Sequence, residues 1–360
     1  MKSSAKPLNK GGFVLKRWLC LFVILGPFLM AAQQPQTARI TESFSRTKIE
    51  EDDTYSPRLA NPAYQKNGPV VLLDEGHGNN HFDKAFVKLV SADGYQVQLS
   101  QSPFTYDVLS KVNVLVIMNA GMIMPAKWHQ NPEPVFSDVE AAAVRDWVAA
   151  GGSLLFASGS NKAEAGEMLL NRLGVEFLHD LVVDRDLLSK GPPSQSPVVD
   201  RTFGREKNMF STHTIMAGRS EAERVDAVTV TGFSAIRKAP DNALILIHCS
   251  GSTVYFTKDA LMKMQAAEAA RALNHGPQTE SPTVASPVMA PTPAPGIPVA
   301  VAFTLGKGRV VVLGNGSVIS SIQSETVFQG QPISQRPGLR DADNQKLTLN
   351  TMHWLSGLLE

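Results

Sequence analysis

Cysteine is nearly absent from this chain of 360 residues: only Cys20 and Cys249 occur. Cys20 lies inside a segment that reads as an export signal, ahead of most of its apolar run, which does not fit a lipidation site. With the signal removed, Cys249 stands alone and no internal disulfide can form. A surplus of charge is missing as well, with 34 basic against 33 acidic side chains. Losing Lys2, Lys6, Lys10, Lys16 and Arg17 with the signal leaves 29 against 33, a net charge of −4. That balance points to no nucleic-acid partner. Also lacking is a long uninterrupted apolar run: residues 18–32 are too short, and too broken by Pro27, for a membrane span.

What is present is first an address. Basic residues ahead of the apolar run, with no acidic side chain among them, form the two leading regions of an export signal, which places the chain in the periplasm or outside the cell. The segment from Leu29 to Ala32 lacks a small-x-small cleavage pattern, so an uncleaved anchor is the alternative. In that case residues 1–32 alone touch the membrane. Residues 33–67 are polar, carry the acidic run Glu50 to Asp53 and show no apolar period; they read as an extended lead-in. The composition, 43% hydrophobic and 19% charged, is that of a globular protein, and the length suffices for one large or two modest domains.

The stretch from Gly68 to His81 organises the rest. Residues 69–73 are apolar without alternation and include Val70 and Val71, the pattern of a strand buried on both faces at the centre of a parallel sheet. Asp74, Glu75, His77, Asn79, Asn80 and His81 follow at once, with glycines among them. Polar groups and pliable backbone at the carboxyl end of a buried strand mark the edge at which open α/β sheets bind ligands.

Further along, Phe82, Phe86, Val87, Leu89 and Val90 are spaced as on a helix that Gly94 stops. Residues 95–99 alternate as a strand, 106–111 read as a short helix and 112–118 as another buried strand. After a loop containing Trp128 and His129, Ser137 and Glu140 form a capping box for a helix that carries Val139, Ala142, Ala143, Trp147 and Val148 and closes at Gly151 and Gly152. Residues 153–156 are the next strand, and 157–161 open a helix ending at Gly174. This repetition predicts an α/β protein with a doubly wound, mostly parallel sheet. From Val175 the runs shorten (175–178, 226–230, 243–247 and 253–256), which predicts additional antiparallel pairs. Residues 258–273 read as a helix, and 276–298, rich in Pro, Ser, Thr and Ala, as a disordered insertion. A hairpin follows around Gly306, Lys307 and Gly308. The closing helix, 341–359, turns Leu347, Leu349, Met352, Trp354 and Leu355 toward the core.

Taken in order, the segment Val71 to His81, the alanine-rich helix before Gly151 to Phe156, His213 to Gly218, the Gly306 to Gly314 hairpin and the ending Asp343 to Gly357 resemble exported bacterial proteins with a domain of the class I glutamine amidotransferase-like superfamily. That superfamily also holds ThuA-like proteins and the GIFT domains of gliding-motility and intraflagellar-transport proteins. The resemblance covers residues 68–358 and implies a three-layer α/β/α, flavodoxin-like domain. Enzymes of the superfamily carry a cysteine at a strand-to-helix elbow and a late His-Glu pair. The elbow position here is Ser158-Gly159-Ser160, and Cys249 follows His248 at the end of another strand, so the nucleophile does not carry over. The expectation is a binding or scaffold domain without a cofactor, its partner a small molecule, a carbohydrate or an envelope protein.

The cluster after the first strand keeps three readings open. Its carboxylates can cap the next helix while its histidines bond nearby backbone. Alternatively Asp74, Glu75, His77, Asn79, Asn80 and His81 bind a ligand. In the third reading the chain is a hydrolase in which His77 and His81, four apart, share a helical face and hold a metal with Asp74 or Glu75, or Glu75 and His77 act without one. The Gly-His-Gly run also resembles zinc-dependent cell-wall amidases, yet no glutamate stands between Phe82 and Val112 to supply their second ligand. Ser158 and Ser160 are either nucleophiles at a turn or helix caps. His213 is expected to fix a loop, Gly218 to supply a positive-φ turn, His353 and Trp354 to pack as a pair, and Lys307 and Arg309 to flank a solvated hairpin tip.

Overall fold

Aliphatic runs with no polar alternation need cover on both sides, and this chain supplies it with helices on each face of one sheet. The computed structural model describes residues 48–79, 82–122, 134–159, 163–184, 201–230, 232–257, 259–260, 263, 291–328 and 331–360. Residues 1–32, read from the sequence as an export signal, Asn80, His81, Trp128, His129, Ser160, nearly all of the helix expected at 258–273, and residues 276–290 lie outside them.

The sheet has seven strands: β1 (Val70–Asp74), β2 (Gln96–Ser100), β3 (Val114–Met118), β4 (Ser153–Ala157), β5 (Leu244–His248), β6 (Pro298–Leu305) and β7 (Gly308–Leu313). Their order is β5-β6-β7-β4-β3-β1-β2. From β2 to β7 all neighbours are parallel, whereas β6 runs antiparallel to β7 and β5. The helices are α1 (Lys84–Ala92), α2 (Tyr106–Leu109), α3 (Asp138–Ala150), α4 (Glu167–Arg172), α5 (Thr214–Ala217) and α6 (Asn344–Leu355). Val71 and Leu73 of β1 pack with Phe86 and Val90 of α1 and with Leu347 and Met352 of α6. Leu72, pointing the other way, joins Leu109 of α2 and Val144, Trp147 and Val148 of α3. The result is a three-layer α/β/α architecture with the flavodoxin-like order 2-1-3-4 through its parallel part. Smaller antiparallel pairs decorate the second half, as in Arg201–Gly204 with Ala227–Val230 and Leu181–Asp184 with Thr253–Phe256.

Several local signals hold. Ser137 and Glu140 close both halves of the capping box on α3, and Gly94, at φ 93°, ends α1 where a Cβ would lie 2.0 Å from the Tyr64 carbonyl oxygen. Other expectations are corrected. Strand β1 is not at the sheet's centre: β2 alone lies outside it, with Leu99 54% exposed. Val139 is 77% exposed, because the capping box sets it on the solvent side of the first turn; Ala141 and Val144 face the core instead.

The lead-in is ordered from Lys48, where Lys48–Glu51 pairs with Ile322–Phe328. Asp52 then buries its carboxylate against Arg340 Nε at 2.6 Å, and although burial pushes the group up, Arg340 and Thr54 hold it near about 2. The tract read as a structureless insertion already pairs at Thr292–Pro293 with the strand Thr253–Phe256. Arg309 is no solvated tip: it donates to the carbonyls of Trp354 and Leu359 at 2.5 and 2.7 Å and sits over the Trp354 ring, closing the last turn of α6. Lys307 beside it is exposed. Polar side chains of α6 are buried as deeply as its apolar ones; Asn344, Thr348, Asn350, Thr351 and His353 are each at most 1% exposed.

Candidate functional site

In an open α/β sheet the crevice for a ligand opens where successive connections leave a strand in opposite directions. Here that point lies between β1 and β3, since the chain steps from β1 outward to β2 and then back past it to β3. The residues following β1 therefore stand where the fold places ligands.

Those residues do not form a helix. Backbone 76–78 is a series of bends, and α1 begins only at Lys84, so the shared helical face supposed for His77 and His81 does not exist over the described part. The bends are stitched to their surroundings instead. Asp74 Oδ1 accepts from the Gly76 amide at 3.1 Å, Asn79 Oδ1 from the His77 amide at 3.0 Å, and the Glu75 amide donates to the Ser100 carbonyl at 2.9 Å. Asn79 Nδ2 donates to the Met118 carbonyl at 2.7 Å, and the Gly121 amide donates to the His77 carbonyl at 2.9 Å. The loop thus crosses the crevice and ties the carboxyl end of β1 to that of β3.

At the centre of this corner is His77. Its Nδ1 lies 2.8 Å from Asp74 Oδ1 and its Nε2 3.0 Å from Glu140 Oε1. Phe104 and Phe136 lie beside it as tilted neighbours, with ring centroids 4.7 and 4.5 Å from the imidazole and 6.0 Å from each other. Burial alone would lower the pKa of the imidazole; the hydrogen bonds and charges of Asp74 and Glu140 outweigh it and raise the value above 6.5. Glu140 is drawn the other way. Burial pushes it up, but the Ser137 hydroxyl and amide, His77 and the Phe104 amide bring it to about 2. With both ring nitrogens occupied, His77 has neither a lone pair for a metal nor a free site for proton transfer. Among the described residues no group of three or more His, Cys, Asp or Glu side chains is arranged to hold a metal.

The sequence alone does not point to Glu140, Phe104 or Phe136 as members of this corner. Its spacing from Ser137 marks Glu140 only as a cap, and it is more than that: one carboxylate oxygen serves Ser137, the other His77 and Phe104. One signal was available, because an acid committed to a capping box at the head of α3 must sit on the same sheet edge as the end of β1. Asp74 keeps its second oxygen, Oδ2, buried without a partner among the described residues.

The remaining candidates lie along the same edge or away from it. Ser158, at the end of β4, is 2% exposed and donates its hydroxyl to the Gly159 carbonyl at 3.1 Å. Its carbonyl accepts from the Gly316 amide at 2.7 Å, and a Cβ on Gly316 would sit 2.2 Å from Asn119 Oδ1, so the loops after β3, β4 and β7 meet tightly here. Cys249 is buried, and burial together with Asp184 pushes its thiol up to about 12. His213 caps α5, accepting from the Ile215 amide through Nδ1 at 3.1 Å, and Gly218 ends that helix at φ 71°. His353 bonds Asp93 at 2.7 Å in the core, with Trp354 beside it. A cleft of about 320 Å³ lies elsewhere, between α4 and the residues Glu176, Arg237 and Lys238, with no lining from the loop after β1. No described helix is long and apolar enough to cross a membrane.

No protein-family model and no curated protein matches this chain. Among solved structures it is similar to the mmIFT52 N-terminal domain, at 13% identity, covering 80% of this chain and 97% of that one, with a TM-score of 0.48. It is also similar to a ThuA-like protein from Bacteroides uniformis, at 11% identity over 83% and 94% of the two chains and a TM-score of 0.36. A GMP synthase subunit from Thermoplasma acidophilum matches at 11% identity over 53% and 79%, with a TM-score of 0.30. Likeness at this level carries no activity across, and the α/β assignment stands on the strand order itself.

Proposed function

We propose that the chain is an exported, non-catalytic module of amidotransferase-like architecture that binds a carbohydrate or another envelope component at the carboxyl edge of its sheet. The observation that carries this reading is the state of His77. Among the described residues the imidazole at this corner is held by a carboxylate at each nitrogen and packed against two aromatic rings. Proton-transfer catalysis needs a group with an open site; both nitrogens of His77 are taken up by carboxylates, and the ring joins β1 to α3. Two further facts agree. The Ser158 hydroxyl is spent on a backbone carbonyl, and the Cys249 thiol is far from its reactive thiolate form at neutral pH.

The test is turnover by the purified protein. Incubation with L-glutamine and with chromogenic acyl and glycosyl esters is expected to release nothing above buffer, and Cys249→Ser and Ser158→Ala to change nothing. Hydrolysis that disappears in a folded His77→Gln variant would instead establish the competing reading, a hydrolase using Asp74, Glu75, His77 and His81. Amino-terminal sequencing of the exported form decides between a cleaved signal and an anchor.

A further inference from the structure

A second buried cation lies on the same carboxyl edge, toward the β5–β7 side and away from His77. Arg201 opens the strand Arg201–Gly204, opposite Val230, and is 6% exposed. Its guanidinium carbon lies 5.3 Å from the centre of the Phe233 ring. Phe233 is held at this edge from both sides: Asn315 Nδ2, just past β7, donates to the Gly232 carbonyl, and the Ser234 amide donates to the Gly314 carbonyl at 2.8 Å. Burial disfavours the charged guanidinium; Asp184 nearby favours it, as Cys249 at the end of β5 would if it were a thiolate.

Neither group neutralises the guanidinium by contact. Asp184 is fully buried and accepts from the Ser250 amide at 2.5 Å, the Ser250 hydroxyl at 2.6 Å and the Thr253 hydroxyl at 2.9 Å. The Cys249 thiol is uncharged at neutral pH. Arg201 Nε is buried and has no acceptor among the described residues. A guanidinium stays protonated at any working pH, and a buried charge calls for a hydrogen-bonded counterion. The edge formed by Nε and one terminal nitrogen matches the two oxygens of a carboxylate, while an aromatic ring suits the guanidinium face. Burying a dianion here costs more than burying a monoanion, because desolvation grows with the square of the charge while attraction to the single guanidinium grows only in proportion.

We propose that Arg201, backed by Phe233, receives the carboxylate of a small organic acid. This site is separate from the His77 corner and does not depend on whether that corner is catalytic. The test uses the full chain with acetate as probe, followed by thermal denaturation and calorimetric titration, against chloride at equal ionic strength. Acetate is expected to raise the unfolding temperature and to bind; phosphate is expected to do less. Arg201→Lys keeps the charge but loses the fork, and should weaken acetate binding about tenfold or more. Arg201→Met should lose the response to acetate and, freed of an unmatched charge, unfold no lower than the parent in chloride. A parent protein indifferent to acetate, an Arg201→Met variant that retains the response, or stronger protection by phosphate would each overturn the proposal. Absence of hydrolysis leaves this result untouched, and an acetate effect says nothing about turnover.

Discussion

His77 and Arg201 are both cations buried along one edge of one sheet, at 8% and 6% exposure, and their surroundings differ in kind. His77 has a carboxylate at each nitrogen and two aromatic rings packed against it. Arg201 has a ring near its guanidinium and an Nε without an acceptor among the described residues. A buried charge that is matched by hydrogen bonds within the chain fastens elements together, whereas one left unmatched is open to a partner from outside. By this contrast the polar loop after β1, conspicuous in the sequence, serves as a fastening, and the less conspicuous arginine carries the open valence.

The largest effect expected from breaking the contrast is at His77. His77→Ala leaves Asp74 and Glu140 facing each other without their cation, and should lower stability in urea by about 3–5 kcal/mol. A loss below about 1 kcal/mol would mean that the corner is not a fastening. The pH profile sharpens the same point. Glu140 titrates near about 2 in the fold against 4.5 ordinarily, so its contribution is complete above 4.5 and is lost as pH falls through the acid range. His77 titrates above 6.5 in the fold, so its contribution is complete below 6.5 and is lost as pH rises past its folded value. Denaturation midpoints should therefore show this corner strongest between those limits, and the alkaline decline should flatten in His77→Gln.

Next in size is Arg309→Ala, which frees the carbonyls closing α6 and should cost about 1–2 kcal/mol, while Lys307→Ala on the same hairpin should stay within about 0.5 kcal/mol. Equal effects at the two positions would return both to the solvated tip expected from the sequence. The smallest is Val139→Ser, expected within about 0.5 kcal/mol in the same urea measurement, because the side chain stands in water.

Much of the scaffold was legible. Unalternating aliphatic runs marked β1, β3 and β4, and Ser137 with Glu140 marked the start of α3, because each of these signals acts within a few residues. The polar carboxyl end of β1 was legible too, from the abrupt change at Asp74. What each polar residue does there was not. Glu140 lies 63 positions from His77, and Arg340 lies 288 from Asp52, so no local pattern joins them. The acidic run Glu50 to Asp53 looked unfit for a core for the same reason, its cation being supplied from near the other end of the chain. In α6 the apolar period was correctly read at Leu347, Met352, Trp354 and Leu355, yet it concealed buried asparagines. Asn350 Nδ2 donates to the carbonyls of Ile215 and Glu223, partners that only packing brings near.

The sequence by itself determined the succession of strands and helices, the glycines that end them and the edge at which polar groups gather, since hydrophobic period, capping and turn chemistry are short-range. Tertiary structure alone decided which charges are matched. Ion pairing depends on distance in space and on exclusion of water, and both come into being only when remote segments close upon one another.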